Sequence, residues 1–502
     1  MTASASGALT GPAGRPGPSG GFERPVHPGV PGDDAAQALP HERVPAYVHV
    51  LTAAVVLQFM SGSSTLYGMP VPPDRVVLAV GLLMLIAHPD LRRSGLRLEP
   101  IHLVMAALVA WCVGSMIWFG PLNDPTAAFA LVDAIGIVPF LLFLTAPLVF
   151  ATRARRRVLL RALTALGLYL GYVSVCEGLH LYALIVPPGI VNPSHPHFGR
   201  ALGPSQQVGS NGLALLACMY PSAVYAAQSR GVRRLVGALA CLLCAAGAFF
   251  TLTRSIWLAL VLGVAVVIVA ERRVRGRLLV AVAAAAIGLA VLLSVAPGIG
   301  GEVSERAQTS RSVYDRLNAN AAAVRVVLAR PIDGVGLNRF HIVERDWVWQ
   351  APDYPITNMG IDVHNVVLGL GAELGLPGLT LWLVALLSAA WAAVRGPRDR
   401  DGPLHDLRVG ALAYGVAWGT VAMLVPIKYA FPTAMLWLGL GLVADHRRLG
   451  YDRLPSAPGG PGGPGGPGGT GGRAGGPTLP TWQQPPAPAR RSRRHTSGKV
   501  LV

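Results

Sequence analysis

The chain alternates long apolar runs with short polar breaks. Apolar stretches fall near 46–62, 72–88, 101–119, 127–150, 159–179, 205–227, 235–252, 255–270, 278–297, 374–394, 409–427 and 429–444. Each is close to the roughly 17–25 residues that carry a helix across about 30 Å of hydrocarbon. A backbone amide inside lipid has no water to bond, so such segments satisfy their own N–H and C=O groups as helices. The pattern predicts an all-α, polytopic membrane helix bundle of about twelve transmembrane helices.

The segment 298–362 interrupts this rhythm. Its seven arginines are nearly balanced by eight acidic residues, which predicts a small folded element outside the membrane, a long extracytoplasmic loop containing short helices. Within it Leu317, Ala321, Val324 and Leu328 recur at i, i+4, i+7 and i+11, the period of an amphipathic helix, and Pro331 marks its end. Asp333-Gly-Val-Gly336 reads as a tight turn whose glycines permit positive φ. The flanks differ from this 45–445 membrane domain. Residues 1–44 are rich in Gly, Pro and Ala and lack an apolar stretch, which predicts a disordered N-terminal arm with no cleavable signal peptide. Residues 446–502 repeat Pro-Gly-Gly from Pro458 and carry Arg490, Arg491, Arg493 and Arg494, a disordered basic tail that either stays solvated or meets anionic membrane lipids.

Composition agrees with a lipid solvent: 13% of residues are charged and mean hydropathy is +0.48, against roughly a quarter charged in soluble proteins. A net charge of +17, nearly all from arginine, raises the question of nucleic acid, and its placement answers it. With the N-terminus in the cytoplasm, the inward loops 89–98, 151–161, 228–234, 271–277 and 395–408 hold 19 arginines, while the short outward loops and adjoining helix ends hold Arg75, Arg200, Arg254 and Lys428. That is the asymmetry of insertion. It predicts a multi-pass protein of the cytoplasmic (plasma) membrane with both termini cytoplasmic, and leaves no call for nucleic acid. All five cysteines lie in apolar runs and are read as packing side chains, Cys241 and Cys244 included, with no disulfide and no metal site.

Three short patterns carry candidate chemistry. Thr251-Leu-Thr-Arg254-Ser-Ile-Trp257 places an arginine in a hairpin too short for a solvated loop; Arg254 is either a functional group or a side chain snorkelling at a helix end. His364-Asn365 is followed by nine residues and then Gly375-Leu-Pro-Gly378. Upstream of it, Arg316 through Phe340 includes Ala329-Arg-Pro-Ile-Asp-Gly-Val-Gly-Leu-Asn-Arg-Phe340. In this order the patterns resemble the O-antigen ligase and polymerase family of bacterial membrane glycosyltransferases, over residues 198 to 394. Phe198-Gly-Arg200-Ala-Leu-Gly203-Pro204 is similar to the family's Arg-x-x-Gly element, although the Asn that usually follows the Pro stands seven residues on, at Asn211.

The resemblance implies transfer or polymerisation of a glycan from a polyprenyl-pyrophosphate carrier onto a glycan, glycolipid or protein acceptor outside the cytoplasm, without metal or cofactor and with inversion. It assigns His364 to activating the acceptor hydroxyl or to positioning the acceptor. The residues agree independently. A pyrophosphate leaving group needs its charge held as the glycosidic bond breaks, and arginine gives bidentate contacts while staying charged. An imidazole can take a proton near neutral pH. The candidate catalytic residues are therefore His364 and Arg254, and the candidate substrate-binding residues are Arg200, Arg316 and Asn365. Arg200 as an interfacial arginine, Arg316 as a surface charge near a helix start, and His364 as a backbone-bonded histidine are the plainer alternatives. Glu373 either faces the site or caps a helix, Asp133 is an acid within a span, and Gly375 and Gly378 are read as permitting close helix packing. No Walker loop or dinucleotide fingerprint occurs, and Asp399-Arg-Asp401 lies in an inward loop. A membrane transporter or lipid flippase is the competing class, which repeat symmetry or mid-membrane charges would favour. A cell-wall polymerase of the shape and division type is a third.

Overall fold

Helices stand where the apolar runs predict them. The computed structural model describes residues 43–61, 71–120, 124–272, 275–295, 301, 311–349, 359–396, 404–426 and 428–455, all within one unit, Met1–Pro458. Most of the expected N-terminal arm, and the expected tail from 456 onward with its Pro-Gly-Gly repeats and arginine cluster, lie outside these residues; the start of that tail is ordered instead, with a helical turn at His446–Leu449 and Leu449 and Tyr451 buried. The described residues contain helices and no strand. In chain order the principal helices are α1 (Ala46–Leu57), α2 (Pro73–Ala87), α3 (Pro100–Phe119), α4 (Pro125–Val149), α5 (Arg153–Gly178), α6 (Val208–Ala227), α7 (Val232–Phe250), α8 (Arg254–Ala270), α9 (Arg275–Val295), α10 (Arg311–Ala329), α11 (Phe340–Trp347), α12 (Val366–Arg395), α13 (His405–Ala422) and α14 (Ala430–Val443). Five of them, α3, α4, α5, α7 and α12, are long and apolar enough to cross a membrane.

Local chemistry sets the boundaries. Proline at the first position opens α2, α3 and α4, where the missing N–H has no partner to lose. Asp124 caps α4, its carboxylate accepting from the Thr126 and Ala127 amides. Thr152 caps α5 in the same way through the Arg155 amide. Helix α4 widens to a π turn over Ala130–Ile135, and Asp133 within it is buried against Arg75 at the start of α2. The acid inside the span is thus ion-paired between helices. Small residues then let helices approach. Gly171 of α5 lies against the Leu243–Cys244 backbone of α7, and Gly237 of α7 lies against Ser222 and Ala226 of α6. All five cysteines are free thiols, and only Cys241 is less than fully buried.

Two expectations are corrected. Helix α10 forms where its periodicity predicts, but through the opposite face. Leu317, Ala321, Val324 and Leu328 are exposed, whereas Ala319 is fully buried, as are Ala322, Ala323 and Val326 in a small core with Val335, Phe340, Val363 and Ala372. Alanines permit the close approach of α10 to α12, and the bulky residues are left outside. The second correction is Gly375. It does not pack an uninterrupted helix; it breaks one, with φ of +68° inside α12.

That break is tied to the turn upstream. Pro377 has no N–H to offer Glu373, so the Glu373 carbonyl accepts from the Gly336 amide at 2.9 Å instead. The Ala372 carbonyl accepts from Val335 N–H at 2.9 Å, and the Leu376 amide donates to the Pro331 carbonyl at 2.7 Å. The Leu374 carbonyl accepts from the indole N–H of Trp111 on α3, at 2.9 Å. Gly334 and Gly336 have φ of +63° and +101°, as the turn requires, and a Cβ at Gly334 would strike the Ala372 and Glu373 carbonyls. The segment 331–338 and the broken helix are one unit, closed by backbone bonds in both directions.

Candidate active site

The ends of five segments meet around one cavity of about 780 Å³, within the range of about 300–1,000 Å³ usual for small-molecule sites. They are the start of α6, the α7–α8 turn, the start of α10, the irregular stretch before α12 and the α13–α14 connection. Arg200, Arg254, Arg316 and His364 all line it, although they span 164 positions of sequence from first to last. Asn365 does not. Its side-chain oxygen accepts from the Val367 and Leu368 amides at 3.0 and 3.1 Å and caps α12. An asparagine directly after the histidine is what starts the helix that holds it.

His364 is oriented by a backbone bond. Its Nδ1 stands 2.8 Å from the Asp362 carbonyl oxygen. A carbonyl only accepts, so Nδ1 carries the proton and Nε2 keeps the lone pair. Burial first, and the Arg316 guanidinium second, push the imidazole down to about 4, so it is neutral at physiological pH. Arg316 is itself lowered, by burial and then by the charge of Arg254. Two guanidinium groups thus act on one another inside the cavity, and one of them acts on the histidine. This is a field suited to an anion.

Arg200 uses its fork on the turn beside it. Its Nε and Nη2 donate to the Thr251 carbonyl at 2.9 and 2.8 Å, and Nη2 also reaches the Leu252 carbonyl at 3.2 Å and Thr253 Oγ1 at 2.7 Å. Leu252 sits at φ of +48°, which a side chain disfavours, and these bonds hold it there. The next residue but one is Arg254, first in α8 and exposed. The Arg-x-x-Gly element is in turn anchored by Asn211, whose amide donates to the Ala201 carbonyl at 3.1 Å, and by Glu177, which accepts from the Gly203 amide at 2.8 Å. Asn211 therefore belongs to this element in space despite its shifted place in the sequence.

Sequence reasoning missed Lys428 and Asp362, which also line the cavity. Lys428 Nζ donates to Asp362 Oδ1 at 2.8 Å and to Glu373 Oε1 at 2.9 Å. Burial acts to lower the Lys428 ammonium, but the Glu373 and Asp362 carboxylates outweigh it and hold its pKa above the ordinary value. Glu373 caps nothing at the helix start; it lies at the break in α12, and its second oxygen accepts from the Asn338 amide at 3.0 Å. A lone lysine in an outward loop gave no hint of two acidic partners 55 and 66 positions away.

An all-helical bundle with several helices long and apolar enough to cross a membrane, around a cavity that holds interacting arginines and an oriented neutral histidine, has the form of a multi-pass membrane enzyme. Residues 239–383 match the family model described as O-antigen ligase. Over that stretch the chain is similar to O-antigen ligases, and the match supports membrane glycan transfer of that kind. The match takes in Arg254, Arg316, His364 and the break in α12, and leaves Arg200 and Lys428 outside its bounds. No curated protein matches the chain.

Proposed function

We propose that the chain is a membrane glycosyltransferase that takes a glycan from a polyprenyl-pyrophosphate carrier and passes it to an acceptor hydroxyl outside the cytoplasm, as ligase or polymerase. Twelve spans with both termini cytoplasmic complete the reading, and they put the cavity at the outer face of the plasma membrane. The observation that carries it is the meeting of Arg254, Arg316 and His364 on one cavity. Arg254 and Arg316 hold the pyrophosphate oxygens. Arg200 keeps the turn that presents Arg254. His364 Nε2 takes the proton of the acceptor hydroxyl as its oxygen attacks the anomeric carbon. The bond from that carbon to the phosphate oxygen breaks, its electron pair leaves with polyprenyl pyrophosphate, and a single displacement inverts the centre. Free energy comes from the glycosyl-pyrophosphate bond, and the reading uses neither a metal nor a cofactor. Asp133, paired with Arg75, offers no unpartnered charge to favour a transporter.

The test is glycan transfer in membranes supplied with a lipid-linked oligosaccharide. His364→Ala is expected to lower the rate by about 10²–10⁴-fold, the usual worth of a general base. Arg254→Ala is expected to lower it by about 10²–10³-fold, as for loss of one group stabilising a developing anion. Wild-type transfer by both variants at normal protein levels would remove this site.

A further inference from the structure

Asp362, Glu373 and Lys428 come from three separate segments and close into one chain of charges at the rim of the cavity, buried at its Glu373 end and partly exposed at Asp362. Glu373 is its fixed end. Its side chain is 4% exposed, it sits at the break in α12, and Asn338 N–H holds its second oxygen. Lys428 bridges from there to Asp362, whose side chain is 30% exposed. Asp362 has a second task, because its backbone carbonyl is the acceptor that selects the His364 tautomer. The stretch 359–363 has no helix or ladder to fix that carbonyl. It is held by side chains: Glu344 of α11 accepts from the Gly360 and Ile361 amides, and Lys428 grips Asp362.

We propose that Lys428 is a positioning residue for His364: by tying Asp362 to the rigid Glu373 it fixes the carbonyl that keeps Nδ1 protonated and points the Nε2 lone pair into the cavity. The inference rests on the base role given to His364 above. Lys428 touches no reacting atom in this scheme. Outer partners of this kind commonly alter function by about 10–100-fold when removed, and that is the effect expected here. It falls on kcat, because the donor-binding arginines are left in place.

Lys428→Met alone strands the buried Glu373 carboxylate and lowers the amount of folded protein. Two further variants separate the roles. Lys428→Met with Glu373→Gln removes the stranded charge and leaves Asp362 without its lysine tie, His341 at 3.7 Å being the side chain left beside it. Asp362→Ala leaves the Lys428–Glu373 pair intact, so the bundle keeps its buried pairing. Full-length protein in proteoliposomes, with a lipid-linked oligosaccharide donor, gives kcat and KM for each, and thermal unfolding gives stability. The expected result is kcat about 10–100-fold below wild type in both, with donor KM changed less than about threefold, and wild-type stability in Asp362→Ala. A wild-type kcat in Asp362→Ala would overturn the proposal. So would recovery of kcat together with stability in the double variant, since Lys428 would then only neutralise Glu373. His364→Ala run beside them keeps the outcomes apart: an unaffected rate there removes the base itself rather than its support.

Discussion

His364 shows how one side chain's state follows from its neighbours. Burial and Arg316 both disfavour its charged form, so in the free protein the imidazole accepts no proton until the pH falls to about 4. The acid limb of kcat/KM, which reports the free enzyme, is therefore expected near pH 4 rather than near the ordinary histidine value of about 6.5. Arg316→Gln removes the second of the two causes and should move that limb upward, and an unchanged limb would separate the two residues. The sign carries over to stability. The unfolded chain binds the proton first, so the contribution of this group is full above about pH 6.5 and shrinks as the pH falls toward 4. Much of this site was legible in the sequence. Arg254 and His364 stood out because each is an ionisable group beside an apolar run, where few roles are open to it. Arg200 was legible as a position and not as a role, since its fork closes on carbonyls of a turn 51 residues away. Lys428 was legible only as a charge on the outward side, because its partners are set by how three segments pack.

At the scale of elements, the signature Gly375-Leu-Pro-Gly378 proves to be a device for stopping a helix and restarting it. Gly375→Ala would place a Cβ against the Ile332 carbonyl and hold a side-chain-bearing residue at positive φ. The backbone cost is on the order of 2 kcal/mol before any clash. A lower melting temperature in detergent and lost transfer are expected together, because the 331–338 turn and the Glu373 anchor are seated on the same break. Loss of neither would separate the break from the site. The run of apolar residues located the helical stretch here, but it placed the span at 374–394, whereas the helix begins at Val366, directly after its Asn365 cap. Helix α10 teaches a related lesson. Its period was correct, but the apolar stripe that carries the period is exposed and the alanines on the opposite side are the ones buried. Closeness between helices is set by small residues, here Ala319, Ala322 and Ala323.

For the whole molecule, hydropathy and arginine placement gave the helical class and a topology that labelling can check. A cysteine placed at Ser194, exposed in the connection between α5 and α6, should react with an impermeant reagent from outside the cell. One placed at Ser229, between α6 and α7, should react only after the cytoplasmic side is opened. The reverse pattern would invert the map. The native thiols, buried or nearly so, leave the background low. On this topology the docked turn at 331–338 also dictates an order of biogenesis. The Ala372 and Glu373 carbonyls are satisfied by amides that emerge from the ribosome about 37 residues earlier. The stretch carrying those amides must already have been translocated when the first half of α12 reaches the bilayer, or two naked peptide oxygens would face the lipid. The chain therefore has to export its loop before it can seat the following helix, which makes insertion of this half of the protein a sequential event.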